Sequence, residues 1–308
     1  MRRKFLKAFF LLLVLTVCHH HLSAQQQAMF TQYMFNPLLL NPAYAGSHEA
    51  ISVTALIREQ WVGLEGAPKT QTFSFHAPIP YRKIGVGMNI IHDRIGVTDQ
   101  ISTTMMYAYR LKIGKGKLSM GLQASYHNYR SFYSRVSATD PSYASEDVNS
   151  SNFNFGTGIY YYTDRWYVSA SVPQLLNSTL DNKSDDPDSK LVRHYFITGG
   201  VVLDLNRFLK LKPNILLKAV SGAPIQMDLN ANLLIYDTVW LGLSYRSLES
   251  FDALTQFQLT PQLLLGYSFD FATTTALSRV NSGSHEISVN YRFSFSKKRR
   301  RVICPTFF

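Results

Sequence analysis

From residue 49 onward, apolar and polar positions alternate with a period of two. Ile51, Val53, Ala55 and Ile57 are separated by Ser52, Thr54 and Leu56; Ile84, Val86, Met88 and Ile90 by Gly85, Gly87 and Asn89; Leu118, Met120, Leu122 and Ala124 by Ser119, Gly121 and Gln123. This period predicts strands with one apolar face. The opposite face is built from Gly, Ser, Thr, Asn and Gln, whereas a soluble sandwich would send charged residues outward and bury the apolar set between two sheets. Strands are expected near 49–57, 69–77, 83–92, 99–111, 117–128, 153–163, 166–173, 194–204, 209–219, 227–236, 239–246, 253–260, 262–270 and 284–295, fourteen in all. Short connections (78–82, 112–116, 164–165, 205–208, 237–238 and Pro261) alternate with long ones (58–68, 129–152, 174–193, 220–226, 247–252 and 271–283). Transmembrane barrels alternate short inner turns with long outer loops in this way. Lipid offers the backbone no hydrogen-bond partners, so a spanning sheet must close on itself. The fold class predicted is all-β, a transmembrane antiparallel β-barrel. Tyr107, Tyr109, Tyr126, Tyr160, Tyr161, Tyr162, Trp166, Tyr236 and Trp240, near strand ends, suit interfacial girdles.

The N-terminus changes the compartment. Arg2, Arg3, Lys4 and Lys7 precede an apolar run from Phe9 to Val17 and a polar stretch ending at Ala24, the pattern of a secretory signal over residues 1–24. A lipid-attachment reading of Cys18 is disfavoured by Val17 before it, where a small residue is needed. Removing the signal leaves Cys304 alone, so no internal disulfide can form. The formal charge of +11 is misleading: nine of the 31 basic residues lie in the signal or in the run Lys297, Lys298, Arg299, Arg300 and Arg301, leaving 22 against 20 acidic ones. A basic tail over 297–308, not a basic body, asks for a partner, and no nucleic-acid interface is expected.

Candidate chemistry adds little. Ser284 and Glu286 share one strand face while His285 points to the other, so a local Ser–His hydrolase set cannot assemble. The remaining histidines lack metal-ligand spacing. The stretch from Asp181 to Asp188 lacks the Gly and distant Glu of a calcium loop and reads as a solvated outer loop. Gly114 to Lys117 is a tight turn with no helix after it to cradle phosphate. No catalytic residue, metal or cofactor is expected.

The words Phe30-Thr31-Gln32-Tyr33, Asn36-Pro37 and Asn41-Pro42-Ala43-Tyr44-Ala45-Gly46-Ser47 closely resemble the N-terminal signature of the PorP/SprF family of type IX secretion and gliding-motility membrane proteins. The resemblance continues through Arg58-Glu59-Gln60-Trp61, Gly66-Ala67-Pro68, Val172-Pro173-Gln174-Leu175, Lys212-Pro213, Tyr245-Arg246, Gly266-Tyr267, Gly283-Ser284-His285-Glu286 and Cys304-Pro305. It implies an outer-membrane barrel of the Bacteroidetes, required for secretion or for placing a large adhesin at the surface. It also implies partners: a periplasmic ring lipoprotein, a peptidoglycan-binding linker protein or an adhesin. Asn41-Pro42-Ala43 is also similar to a word in the N-terminal plug of fourteen-stranded hydrophobe-uptake barrels.

Pro37 and Pro42 block a helix across 36–42 and push the residues before them toward extended backbone. Residues 25–48 are therefore expected to form a periplasmic plug or lid ahead of a barrel over 49–296, with Gln32, Tyr33, Asn36, Pro37, Asn41, Pro42 and Tyr44 as its interaction residues. The function expected is a non-enzymatic scaffold or anchor in type IX secretion or gliding, held in outer-membrane lipid and docking periplasmic partners through this segment and the tail Lys297–Arg301. The alternative is a diffusion channel or uptake porin for small or hydrophobic molecules.

Overall fold

The computed structural model describes residues 28–80, 82–135, 147–179, 190–221, 223–247, 249–273 and 282–293. The signal region 1–24, the acidic stretch 181–188, the tail 297–301 and Cys304 lie outside these residues. The strands are β1 (Ile51–Glu59), β2 (Lys69–Pro78), β3 (Ile84–Ile95), β4 (Thr98–Ile113), β5 (Gly116–Ser131), β6 (Val148–Tyr162), β7 (Trp166–Val172), β8 (His194–Val201), β9 (Leu209–Val220), β10 (Gln226–Ile235), β11 (Val239–Arg246), β12 (Ser250–Gln258), β13 (Leu263–Ala272) and β14 (Ser284–Phe293). Each pairs antiparallel with its neighbours in sequence. The last pairs with the first, from Ile51 opposite Phe293 to Glu59 opposite His285, so the fourteen-stranded sheet closes. Two short pieces sit outside the ring: Leu203–Asp204 beside β9, and a ribbon of Ser178–Thr179 with Lys190–Leu191 in the β7 to β8 connection.

The ladder runs further than the alternation predicts. β3 and β4 continue to a two-residue turn at Gly96 and Val97, where Gly96 takes φ 57°. At the ends of strands both faces are wet, so polar residues occupy both and the pattern fades while the hydrogen bonds persist. Here His92 and Arg94 pair with Asp99 across the two strands. The long connections do gather at one end of the barrel, but 96–97 and 247–249 at that end are short.

The faces are inverted relative to a water-soluble protein. Along β1, Ser52, Thr54, Leu56 and Arg58 are buried, while Ile57 is exposed. Outward-facing Leu243, Phe153, Met105 and Leu122 are 71%, 69%, 64% and 62% exposed, whereas inward Ser119 and Asn154 are wholly buried. Each large apolar side chain left in water would forgo roughly 1.5–3 kcal/mol of burial. A belt of them therefore requires a non-aqueous surround. Tyr107, Tyr109, Tyr126, Trp166 and Tyr236 face outward as a girdle requires, but Tyr160, Tyr162 and Trp240 do not: they are 1%, 8% and 3% exposed and point inward. In β6 the parity of a strand forbids Tyr160, Tyr161 and Tyr162 from sharing one face.

Candidate functional site in the lumen

Residues 28–50 lie inside the closed sheet, where they make three turns of 3-10 helix: Tyr33–Phe35, Pro37–Leu39 and Pro42–Tyr44. Both prolines open a turn, the position at which a missing N–H leaves nothing unsatisfied. Asn41, before Pro42, is extended (φ −141°, ψ 116°) and caps the third turn, its Oδ1 accepting from Ala43 N at 2.9 Å. The prolines thus exclude an α-helix but admit single turns, a finer structure than the blocked helix legible in the sequence.

The segment bonds to the wall on all sides. Asn36 Nδ2 donates to Ser74 Oγ of β2 (3.0 Å), Asn89 Nδ2 of β3 to the Leu38 carbonyl (3.0 Å), and Ser119 Oγ of β5 to the Ala43 carbonyl (2.5 Å). Asn41 Nδ2 reaches the Ile159 carbonyl of β6 (3.0 Å), and Ser171 Oγ of β7 reaches the Leu40 carbonyl (2.7 Å). Phe35 packs edge-on against Trp240 of β11. Only a chain within the ring can meet so many strands. Close approach is made possible by wall glycines: a Cβ on Gly85 or Gly121 would overlap the backbone of Ala45 or of Pro42 and Ala43.

Among the described residues, each buried apolar cluster mixes segment and wall. Leu38, Ala43, Tyr44 and Ala45 pack with Met106, Ala108, Tyr160, Tyr162 and Tyr167; Met29, Tyr33, Met34 and Leu40 with Phe196, Leu216 and Leu254; Phe30 and Leu39 with Leu56. Tyr44 also meets the rings of His48 and His76, each at 5.4 Å between centroids, and its hydroxyl lies 2.6 Å from His48 Nε2.

The direction of the segment follows from its partners. Thr31 and Gln32 lie against residues near the long-connection ends of β1, β13 and β14. Gly46 accepts through its carbonyl from Arg110, and Glu49 pairs with Lys117, near the short-connection ends of β4 and β5. The chain therefore runs through the lumen from the long-connection half to the short-connection mouth, where β1 begins.

At the upper end the segment is tied by ions. Glu286 is wholly buried and accepts from Thr31 N (Oε2, 3.0 Å) and Gln32 N (Oε1, 2.9 Å). Arg58 Nη1 donates to the same Oε2 (3.2 Å) and to Thr31 Oγ1 (3.0 Å). Thr31 Oγ1 donates to Asp270 Oδ1 at 2.7 Å. Arg58 Nη2 lies 2.6 Å from Asp270 Oδ2, an ion pair at close range without an aligned hydrogen bond to that oxygen. Gln32 Oε1 accepts from Gln256 Nε2 (3.0 Å) and Ser288 Oγ (2.7 Å). This latch was not foreseen from the sequence. Its visible trace there is charge at inward parity: Arg58 on β1, Asp270 on β13, and Glu286 on β14, whose inner face also carries Arg292 nearer the other mouth.

Of the residues singled out in the sequence, the lumen brings together Gln32, Tyr33, Asn36, Pro37, Asn41, Pro42 and Tyr44, all but Pro37 buried. The basic run 297–301 lies outside the described residues. Ser284 and Glu286 face inward while His285 bonds to Tyr267 Oη (2.9 Å) on the other face. Among the described residues no group of three or more His, Cys, Asp or Glu is placed to hold a metal ion.

A closed fourteen-stranded antiparallel sheet with apolar side chains outside and a filled polar interior defines an integral outer-membrane β-barrel. The family model described as "Type IX secretion system membrane protein PorP/SprF" matches residues 22–291, and the chain belongs to that family. Its members and this fold resemble non-enzymatic outer-membrane proteins. Among solved structures, the chain is similar to the CymD monoaromatic hydrocarbon channel, at 12% identity and a TM-score of 0.51, covering 87% of this chain and 93% of that one. The toluene transporter TbuX of Ralstonia pickettii matches at 9% identity and a TM-score of 0.49, over 86% and 94% of the two chains. The outer membrane protein Omp33 of Acinetobacter baumannii matches at 11% and 0.47, over 80% and 98%. At such identities the likeness to CymD concerns the fold. No curated protein matches the sequence at a significant level.

Proposed function

We propose that this protein is a plugged, non-conducting scaffold of the type IX secretion or gliding machinery, exported behind a signal over residues 1–24 that is cleaved. The observation that carries the reading is the luminal segment, which bonds to strands around the ring and supplies one side of each buried apolar cluster among the described residues. With the lumen occupied, the surfaces left for work are the two mouths. The short-connection mouth, with Gly46 to Glu49, the tight turns and the basic tail Lys297–Arg301, forms the periplasmic docking surface for a ring lipoprotein or a peptidoglycan-binding linker. An adhesin held at the surface would use the long connections instead.

The test combines conductance with capture. A scaffold gives no steady single-channel current in planar bilayers and retains secretion components on affinity purification from solubilised membranes. Steady conductance of the intact protein would move the assignment to a diffusion channel. Replacing Lys297–Arg301 by neutral residues is expected to weaken periplasmic capture while the barrel still assembles. Unchanged capture removes the tail from the docking surface, and normal secretion and surface display after deletion of the gene removes the scaffold altogether.

A further inference from the structure

Charge is not spread evenly around the short-connection mouth. On the side formed by β14 and β1 to β5, Arg82, Lys83 and Lys115 stand at the turn tips, and Arg110, Lys112, Lys117 and Arg292 stand at inward parity near the strand ends. Among the described residues the one acid on that side is Glu49, which pairs with Lys117. On the side formed by β6 to β13, Arg165, Arg207 and Lys210 are matched in number by Asp164, Asp204 and Asp237. There Arg165 lies 2.5 Å from Asp204 and Lys210 lies 2.5 Å from Asp237, while Lys212, deeper in the lumen, is buried. One side therefore carries a crescent of positive charge and the other is balanced at its surface.

The crescent is one continuous surface, and its charge is not cancelled from within. Arg110 N donates to the Lys83 carbonyl at 2.7 Å, which joins the β2 to β3 turn to the end of β4. Arg82, Lys83, Lys112 and Lys115 are exposed and make no ion pair among the described residues. The Arg110 guanidinium is held by the Gly46 and Ile84 carbonyls, which leave its charge in place. Lys112 stands directly opposite Lys117 across β4 and β5, and like charges so placed destabilise a sheet. The arrangement therefore costs the wall stability and points to a counter-charge from outside the barrel. Lipid meets the outer face of every strand, so cations serving head groups would ring the barrel. Confinement to one side, with four of the seven at inward parity, suits a discrete partner seated on the mouth. Exposed charge of one sign steers an oppositely charged partner over roughly a Debye length, about 8–10 Å.

We propose that this crescent docks an acidic polypeptide segment, rich in Asp and Glu, of a partner protein. The inference rests on the scaffold reading for the mouth being the working surface. It needs the described cations alone and not the tail Lys297–Arg301.

The experiment places the full protein in phosphatidylcholine nanodiscs and follows fluorescein-labelled hexaglutamate by anisotropy, with hexaglutamine as the uncharged probe. The mouth variant carries Arg82→Gln, Lys83→Gln, Lys112→Gln and Lys115→Gln. A charge-matched control carries Arg207→Gln on the balanced side of the mouth, with Lys69→Gln, Arg94→Gln and Arg130→Gln at the long-connection end. The wild type should bind hexaglutamate at least about tenfold more tightly than hexaglutamine, and less tightly as ionic strength rises from about 0.01 M to 0.15 M. Binding should weaken at least about tenfold in the mouth variant and stay within about twofold in the control. If the mouth variant fails to fold, Lys112→Gln with Lys115→Gln should still weaken it at least about threefold. Absence of hexaglutamate binding, equal binding of hexaglutamine or equal loss in the two variants overturns the proposal. So does displacement of hexaglutamate by phosphatidylglycerol built into the disc, which assigns the cations to lipid head groups. Capture of secretion components from solubilised membranes separates this site from the reading it rests on. A wild type that binds hexaglutamate as expected but captures none keeps the acidic-peptide site and loses the scaffold. Capture that is undiminished in the mouth variant keeps the scaffold and loses the site.

Discussion

The latch between Glu286 and the luminal segment gives a quantitative test of how the segment is held. In Glu286→Gln the side chain keeps its shape but only one acceptor oxygen, so Thr31 N and Gln32 N, now 3.0 and 2.9 Å from separate oxygens, cannot both be satisfied. One of them then faces an amide N–H2. An unpaired buried donor costs about 1–3 kcal/mol. Arg58 also loses one of its two anionic partners, and removing one member of a buried ion pair costs roughly 3–5 kcal/mol in all. Asp270 stays beside the guanidinium at 2.6 Å and softens that loss, so the lower end, about 3 kcal/mol, is expected. At about 1.4 kcal/mol per tenfold, the upper part of the segment should open on the order of 100-fold more often. Hydrogen exchange followed by mass spectrometry on peptides covering 28–36 reads this directly. Protection there should fall by about two orders of magnitude while β13 and β14 keep theirs. If protection stays within about threefold of the wild type, or if the strands lose it equally, the latch reasoning is wrong.

Three further outcomes follow from the same geometry. Gly121→Leu puts a side chain into the backbone of Pro42 and Ala43 and should lower stability by at least about 1–3 kcal/mol, read as a shifted urea midpoint in folding into lipid vesicles, with protection lost at 41–46. Asn41→Ala removes the cap on Ala43 N and the donor to the Ile159 carbonyl, a loss of about 1–2 kcal/mol in the same assay. Leu243→Arg, at the outward-facing middle of β11, should cost roughly 2–4 kcal/mol in vesicles, whereas Leu243→Ala should cost much less; equal effects would place that face away from lipid.

The wall was legible in the sequence because a lipid-facing strand must alternate: Leu118, Met120 and Leu122 against Ser119, Gly121 and Gln123 state both the strand and its outward side. Legibility ended where the environment ceased to differ between faces. The turn at Gly96 and Val97 is hidden because charge stands on both faces there, His92, Arg94 and Asp99 on the outer and Asp93 on the inner, and ring chemistry alone assigns Tyr160 to the outside where strand register turns it inward. The latch escaped for another reason. Arg58, Asp270 and Glu286 stand 212 and 16 residues apart in turn, joined only by closure of β14 onto β1 and by a segment that reaches them from the far end of the chain. Local pattern carries no information about which charges share a lumen.

The size of the apolar packing inside the barrel decides what kind of element the segment is. Phe30, Tyr33, Leu38, Leu39 and Leu40 are each at most 6% exposed, and withdrawing them into water would cost together roughly 8–15 kcal/mol. That equals the whole stability of an ordinary domain, about 5–15 kcal/mol. The latch at Glu286 governs fraying of the first turns, a few kcal/mol, and cannot govern full withdrawal. Burial of these side chains therefore opposes withdrawal of the segment as a whole, and a partner that replaces those contacts would favour opening of the lumen. The segment behaves as the hydrophobic core of a protein whose outer surface is committed to lipid. What the filled lumen leaves accessible is thereby the two ends of the barrel, one of them the mouth around Gly46 to Glu49.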